Sequence, residues 1–149
     1  MAVIWLFTGA LICVLAACEP GFCDASVVGR IKDASGAAFV LRQDNAVPAK
    51  AGDLVYESDG LRTEADGRLA ITLKDDTRLS LGPDTEIRLE RFAFSPAENR
   101  FGFVLKLVRG VVAYVSGRIG RLAPETIRLE TPDGVVGIRG TRVVLQAGS

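Results

Sequence analysis

The sequence contains no histidine. It therefore lacks the side chain that most often serves as a general base, as a metal ligand and as a pH switch near neutrality. This absence argues against a hydrolase that uses a histidine-containing triad, although an enzyme that works through carboxylates stays open.

Cysteine is also scarce, with three residues in a chain of 149. Cys13 lies inside an apolar run, where we interpret it as a small hydrophobic residue. Cys18 and Cys23 lie in a segment with proline and glycine, which argues against a structural disulfide framework. Because no further cysteine or histidine could complete a tetrahedral site, we expect no metal and no cofactor.

No excess of either charge is present, since Lys plus Arg and Asp plus Glu number 18 each. This balance predicts no attraction to nucleic acid, and contact with a membrane only through the N-terminal segment or an attached lipid. Fourteen of the basic residues are Arg, which suits partly buried positions beside carboxylates better than Lys does.

The first 18 residues contain no charged side chain. The run from Met1 to Ala17 is shorter than the about 20 apolar residues that a membrane-spanning helix needs. It fits the helical, apolar region of a secretory signal, although no Lys or Arg lies near Met1.

Two processing routes for this signal stay open. Leu15-Ala16-Ala17-Cys18 resembles the bacterial lipobox, in which case Cys18 becomes the first mature residue and carries a lipid anchor. Alternatively, signal peptidase cuts after Ala25, in Cys23-Asp24-Ala25. We therefore assign residues 1–25 to the signal and processing region and residues 26–149 to the exported domain. Either route places the domain outside the cytoplasm. An uncleaved anchor, which we rank behind both routes, would place it there as well.

A pattern of acidic residue, any residue, Arg and Leu recurs every ten residues, beginning at Asp66, Asp76 and Glu86. Each unit leads into alternating apolar residues, which is typical of β-strands because successive side chains point to opposite faces. Asp-Gly and Gly-Pro-Asp turns separate the units. The sequence therefore predicts an all-β domain of stacked short strands, either β-solenoid-like or a meandering β-sandwich, with Asp/Glu-x-Arg ion pairs on the strand surface.

Other segments give more local predictions. We expect an opening hairpin of strands 28–32 and 38–42, a loop over 43–52, and a surface loop from Arg118 to Pro124. Strands are expected over 100–108 and 109–117, and four alternating phenylalanines are expected to pack in the core or on a sheet face. These are Phe92, Phe94, Phe101 and Phe103.

Two sets of residues invite a chemical interpretation. Gly137-Ile138-Arg139-Gly140-Thr141 has glycines that would let backbone amides approach a phosphate, but no helix-forming run follows it. Asp75, Asp76, Asp84 and Glu86 could form an acid–base pair or a calcium site, but acidic residues beside turns are ordinary. We therefore predict no catalytic and no metal-binding residue.

Motifs in a fixed order run from about Val28 to the C-terminus. They are Gly52-Asp53-Leu54-Val55, Asp59-Gly60-Leu61-Arg62-Thr63, Ala65-Asp66-Gly67-Arg68, Thr77-Arg78-Leu79-Ser80-Leu81-Gly82-Pro83, Arg109-Gly110 and Thr131-Pro132-Asp133-Gly134-Val135-Val136-Gly137-Ile138-Arg139-Gly140-Thr141. In this order they resemble the FecR-type domain family, and the last string is the most specific. We interpret ten motif residues as structural: Asp66, Gly67, Arg68, Gly82, Pro83, Gly134, Gly137, Arg139, Gly140 and Thr141.

The resemblance implies an extracytoplasmic, β-solenoid-like domain. In the best-known members it relays the state of outer-membrane iron–siderophore transporters to a sigma factor. Those regulators have a cytosolic segment and a spanning helix before the domain, whereas a signal-like segment precedes it here, so we expect a stand-alone exported branch. Relatives also continue beyond the Gly-Ile-Arg-Gly-Thr string. We therefore expect a domain shortened at its C-terminus, with 143–146 as an open strand edge.

Three functions follow from these observations. The first is a non-catalytic envelope protein that binds another envelope protein or relays a signal. The second is an architectural lipoprotein of the surface or periplasm that associates with itself through Val143–Gln146. The third is a glycan hydrolase that works through carboxylates, and we rank it last because the sequence has no catalytic constellation.

Overall fold

The computed structural model describes residues 26–148. The predicted signal segment and its candidate processing residues, Cys18 and Ala25, lie outside the described residues. The rest is nearly all β, which confirms the predicted fold class. The strands are β1 (Val27–Ser35), β2 (Ala38–Arg42), β3 (Asn45–Pro48), β4 (Leu54–Tyr56), β5 (Gly60–Thr63), β6 (Arg68–Leu73), β7 (Arg78–Leu81), β8 (Glu86–Ser95), β9 (Arg100–Val115), β10 (Ile127–Thr131), β11 (Gly134–Gly137) and β12 (Arg142–Ala147). The remaining elements of residues 26–148 are one short helix, α1 (Arg118–Leu122), and two 3-10 turns, Pro96–Glu98 and Pro124–Thr126.

The strands form one continuous sheet that curls on itself, and its two halves are called sheet A and sheet B below. Sheet A has the order β4-β1-β6-β7-β9-β12, and sheet B the order β3-β2-β5-β8-β9-β10-β11. Among these twelve strands every pairing is antiparallel except that of β9 with β10, which is parallel. The antiparallel pairing agrees with the predicted all-β class, but most neighbouring strands are not consecutive in the sequence as they would be in a meander, and a β-solenoid is not confirmed.

The core lies between the two halves, because one cluster of buried apolar side chains includes residues from both. The alternation seen in the sequence sets which side chains enter it: Leu69, Leu79 and Leu89 are at most 2% exposed. The Arg that precedes each of these leucines is exposed. Phe92 and Phe103 are buried and meet edge to face at 6.3 Å, as expected for core aromatics.

Strand β9 belongs to both halves of the sheet. Its first part pairs with β8 and β10, and its last part pairs with β7 and β12. The change falls at Gly110, which has a φ of +90° that disfavours any residue with a Cβ. The two strands predicted over 100–108 and 109–117 are therefore one strand with a bend.

Several local predictions are wrong. Strands β1 and β2 do not form a hairpin, since β1 pairs with β4 and β6 in sheet A and β2 with β3 and β5 in sheet B. The loop predicted over 43–52 contains β3, and the loop predicted after Arg118 contains α1. The Asp/Glu-x-Arg units do not pair as predicted either. The three ion pairs of residues 26–148 are Arg42–Asp59, Arg62–Glu64 and Arg100–Glu98.

Candidate protein-binding surface

Four strands have a single neighbour within the part of the chain that the structure describes. They are β3 and β11 in sheet B, and β4 and β12 in sheet A. Such edge strands carry backbone N–H and C=O groups on their open side, and these groups can pair with another chain. Strands β3 and β4 follow each other in the chain, and so do β11 and β12. The β3–β4 connection therefore joins sheet B to sheet A at one open side of the fold, and the β11–β12 connection joins them at the other.

The large exposed apolar side chains concentrate on these four strands. Val47 lies on β3, Leu54 on β4, Val135 and Val136 on β11, and Val144 on β12. Among the residues described, one further example, Leu122, lies on α1. Single exposed apolar residues are ordinary on protein surfaces. Their concentration at open strand edges makes these edges the candidates for contact with another chain.

Strand β11 is, with β3, one of the two edge strands in which every residue is exposed. All of its four residues are exposed, and Val135 is 63% exposed. Among the described strands its one partner is β10, from Thr131 opposite Gly134 to Arg128 opposite Gly137. The glycines at its two ends, which the sequence singled out, are not crowded. A Cβ added to Gly137 would meet no atom within 4 Å.

The segment between β11 and β12 lies along a groove. Ile138 anchors the segment because it is 5% exposed and belongs to the core, whereas Arg139, Gly140 and Thr141 are exposed. The groove has a volume of about 850 Å³, and its other wall comes from α1, the adjoining 3-10 turn and the start of β10. Arg139 and Glu125 both line it, and neither belongs to an ion pair in residues 26–148.

This geometry does not favour a phosphate loop. Glycine-rich phosphate loops lead into the N-terminus of a helix, whose amides and dipole hold the anion. Here the segment leads into β12, and the carbonyl oxygen of Thr141 accepts a hydrogen bond from the Ser116 N–H at 2.8 Å. An exposed guanidinium beside an open strand edge instead suits an extended peptide with an acidic side chain.

The motif residues near β6 lie in tight turns. Asp66 accepts a hydrogen bond from the Ala37 N–H at 3.3 Å, and a Cβ at Gly67 would collide with the Ala37 carbonyl oxygen. Arg68 is exposed at the first position of β6. Asp66 and Gly67 therefore hold the turn before β6 against the connection between β1 and β2.

The second turn lies between β7 and β8. The Gly82 N–H donates to the Val111 carbonyl at 3.0 Å, and a Cβ at Gly82 would lie 2.6 Å from the Val111 side chain. The carbonyl of Pro83 accepts a hydrogen bond from the Thr85 hydroxyl at 3.0 Å. Both motif residues therefore position the chain where β9 passes from sheet B to sheet A.

The acidic residues that invited a catalytic interpretation have separate surroundings. Asp75 is fully buried and accepts hydrogen bonds from the Thr77 amide and hydroxyl and from the Ile119 amide. Asp76 and Asp84 are exposed turn residues with positive φ. The described residues contain no group of three or more carboxylate or cysteine side chains placed to hold a metal ion. Asp75 therefore connects the β6–β7 turn to α1, and the structure gives it no reacting partner.

Comparison with known protein families agrees with the motifs found in the sequence. A family profile described as FecR protein matches residues 59–149. The chain belongs to the FecR family. Searches of curated proteins and of solved structures gave no significant match. The FecR match begins at Asp59 and includes both open strands β11 and β12 together with the groove between them.

Membership of the FecR family gives a general function. FecR domains are associated with signal relay and regulation, the family is non-catalytic, and its members are associated with the cell envelope. Within residues 26–148, no helix has the length and apolar character to span a lipid bilayer.

Proposed function

We propose that this FecR protein is a non-catalytic module of the bacterial envelope that binds another envelope protein and relays its state. The proposal draws on the regulatory role of the family and on the open strand edges that the FecR match includes. As part of this proposal, the protein lies on the exported side of the envelope, because its N-terminal segment resembles a secretory signal. It is either soluble there or anchored by a lipid on Cys18.

The partner would bind at β11 and the adjoining groove. An extended segment of the partner would pair with the free edge of β11, which adds main-chain hydrogen bonds, and would cover Val135 and Val136. An acidic side chain on that segment would pair with Arg139 at the groove. The observation that carries this proposal is the 63% exposure of Val135 on a strand that has one neighbour and adjoins an exposed Arg.

Crosslinking in envelope preparations tests this binding. The full chain, produced with its own N-terminal segment, is compared with the Val135→Glu and Arg139→Ala variants. We expect a saturable partner whose apparent Kd rises at least about tenfold with Val135→Glu, because a charge on the paired edge has no counterpart. Arg139→Ala should give a smaller rise, and crosslinks should fall within 134–140.

The matched control is Val47→Glu on β3, since Val47 is 54% exposed on an edge strand of the same sheet. This variant should bind the partner as the unchanged chain does. Equal loss in Val47→Glu and Val135→Glu, or the absence of any saturable partner, would contradict the proposal.

The site of processing needs its own measurement. The mass of the mature protein distinguishes a lipid-bearing chain that starts at Cys18 from an unmodified chain that starts at Ser26. Either mass agrees with export, and a chain that keeps Met1 and stays in the cytoplasm would contradict the proposed localisation.

A further inference from the structure

The backbone groups on the open side of β12 are identified by its hydrogen bonds with β9. The Ser116 N–H donates to the Thr141 carbonyl, so the backbone groups of these two residues point toward each other. The Val111 carbonyl accepts the Gly82 N–H and therefore points away from β12. Along an antiparallel strand, the backbone N–H and C=O groups of successive residues point alternately to one neighbouring strand and to the other. The N–H and C=O groups of Arg142, Val144 and Gln146 therefore point away from β9, to the side where no described strand pairs with β12.

The side chains of the same three residues are exposed on the outer face of sheet A. Val144 is 63% exposed, and it lies opposite the half-buried Ala113 of β9. Ala113 in turn lies opposite Ser80 of β7. The row of Ser80, Ala113 and Val144 thus consists of two small residues and one larger apolar residue, and Val144 stands at its edge. On the inner face, Val143 is only partly buried against the core.

We infer that two copies of this chain associate through β12, in antiparallel orientation about a two-fold axis at Val144. Val144 of each copy would lie opposite Val144 of the other, and Arg142 opposite Gln146. This register uses every outward-pointing residue of the strand and gives roughly six backbone hydrogen bonds, two for each closely spaced pair. The two sheets A then become one continuous sheet, and the row from Ser80 to Val144 continues into its symmetry copy.

The charges of β12 agree with this arrangement. Arg142 is its single charged residue, and the two-fold places it beside the neutral Gln146 and away from its own copy. Like charges directly opposite each other destabilise a strand pair, so this register avoids the main electrostatic cost. The exposed Val144 gains an apolar neighbour on the outer face, and Val143 gains Leu145 of the other copy on the inner face.

The expected strength follows from the size of the contact. A pair of six-residue strands buries less surface than the about 1,200 Å² of a standard stable interface. The dimer should therefore be weak, and its formation should depend on protein concentration. The edge used is distinct from β11, so self-association and partner binding can be measured independently.

A charge-exchange experiment tests both the dimer and its register. The full chain and its Val144→Glu and Val144→Lys variants are studied by sedimentation velocity from about 1 to 200 μM. For each variant alone, the dimer Kd should rise at least about tenfold, because its new charge lies opposite the same charge on the other copy. An equimolar mixture of the two variants should restore the dimer, since Glu and Lys then face each other across the axis.

Val135→Glu is the matched control, because Val135 and Val144 are equally exposed, at 63%, on two different edges. It should leave the dimer intact. Circular dichroism melting of each variant establishes that it is folded. A monomeric unchanged chain up to 200 μM, a dimer insensitive to either charge at Val144, or failure of the mixture to reassociate would overturn the inference. Loss of the dimer in Val135→Glu would also overturn it.

Discussion

Arg42 donates two hydrogen bonds to Asp59, from Nε to Oδ1 at 2.9 Å and from Nη2 to Oδ2 at 2.6 Å. Asp59 is 2% exposed and also accepts the Tyr56 N–H at 2.9 Å. The guanidinium lies 4.5 Å from the centre of the Tyr56 ring, and its hydrogen bonds with Asp59 raise the pKa of Arg42. Arg42 ends β2 of sheet B and Tyr56 ends β4 of sheet A, so this cluster joins the two halves on the side opposite β11 and β12.

Replacing Arg42 with Met should lower the free energy of unfolding by about 2 kcal/mol. The change keeps an aliphatic side chain and removes the charge, which leaves Asp59 buried without its cation. Breaking a fully buried pair costs about 3–5 kcal/mol, and the cost here is smaller because the Arg42 side chain is 44% exposed. Urea titration followed by circular dichroism measures the change.

Arg100→Met serves as the control for that experiment. Arg100 and Glu98 form an ion pair at 3.5 Å, but their side chains are 72% and 64% exposed. Exposed pairs contribute less than about 1 kcal/mol, so this variant should unfold almost as the unchanged chain does. An equal effect in the two variants would show that the Arg42–Asp59 pair has no special role.

Asp75→Asn should lower the free energy of unfolding by about 2 kcal/mol. Both carboxylate oxygens of Asp75 accept hydrogen bonds, at 3.1 Å from the Thr77 amide and at 2.7 Å from its hydroxyl. An amide group would place an N–H₂ against one of these donors and leave it unsatisfied in the core. Asp76→Asn is the matched control, because Asp76 is exposed and Asn tolerates its φ of +67°. Thermal melting compares the two, and similar losses would contradict the assignment.

The sequence pattern predicts which side of a strand is buried more reliably than which strand is its neighbour. The alternation of Leu69, Ile71 and Leu73 identifies the core face of β6, since burial depends on the side-chain direction alone. The turn before Ala38 correctly marks a change of direction, but it cannot tell that β1 and β2 enter different halves. Strand β3 was missed because it contains Pro48 and is fully exposed, and proline is tolerated on an edge strand.

The candidate surface could be predicted only in part. The sequence indicated Arg139 and the edge at Val143–Gln146, both of which lie within the open side described here. It gave no signal for the exposure of Val135, because the pattern of β11 is equally compatible with a buried strand. The pair of Arg42 with Asp59 was also missed, since 17 residues separate the partners and their contact depends on the curl of the sheet.

Gly110→Ala should lower the free energy of unfolding by about 2–4 kcal/mol. Gly110 has a positive φ, and a Cβ there would lie 2.5 Å from the Thr85 Cα and 2.6 Å from the Asp84 carbonyl oxygen. Both the backbone strain and the overlap with main-chain atoms oppose the substitution. Gly137→Ala is the control and should change stability by less than about 0.5 kcal/mol, because nothing lies within 4 Å of the added Cβ. Urea titration of both variants decides whether crowding is specific to Gly110.

Tyr114 should make stability depend on pH in the alkaline range. Its ring is fully buried, and burial followed by the nearby Asp75 charge raises the pKa of Tyr114 above its ordinary value of 10.0. The folded state therefore holds the phenol proton more tightly than the unfolded state does. The contribution is complete below about pH 10 and is lost as the pH rises from there toward the folded-state pKa. Over that window the loss is at most about 1.4 kcal/mol per pH unit.

Urea titrations from pH 8 to 11 isolate this effect when the unchanged chain is compared with Tyr114→Phe. Phenylalanine has no proton to lose, so the fall in unfolding free energy above pH 10 should be shallower in this variant. Tyr56→Phe, which changes the half-buried tyrosine of β4, should keep the steep fall. The contributions of groups that all three proteins share cancel in the comparison. Parallel curves for the unchanged chain and Tyr114→Phe would mean that the phenol of Tyr114 loses its proton equally easily in both states.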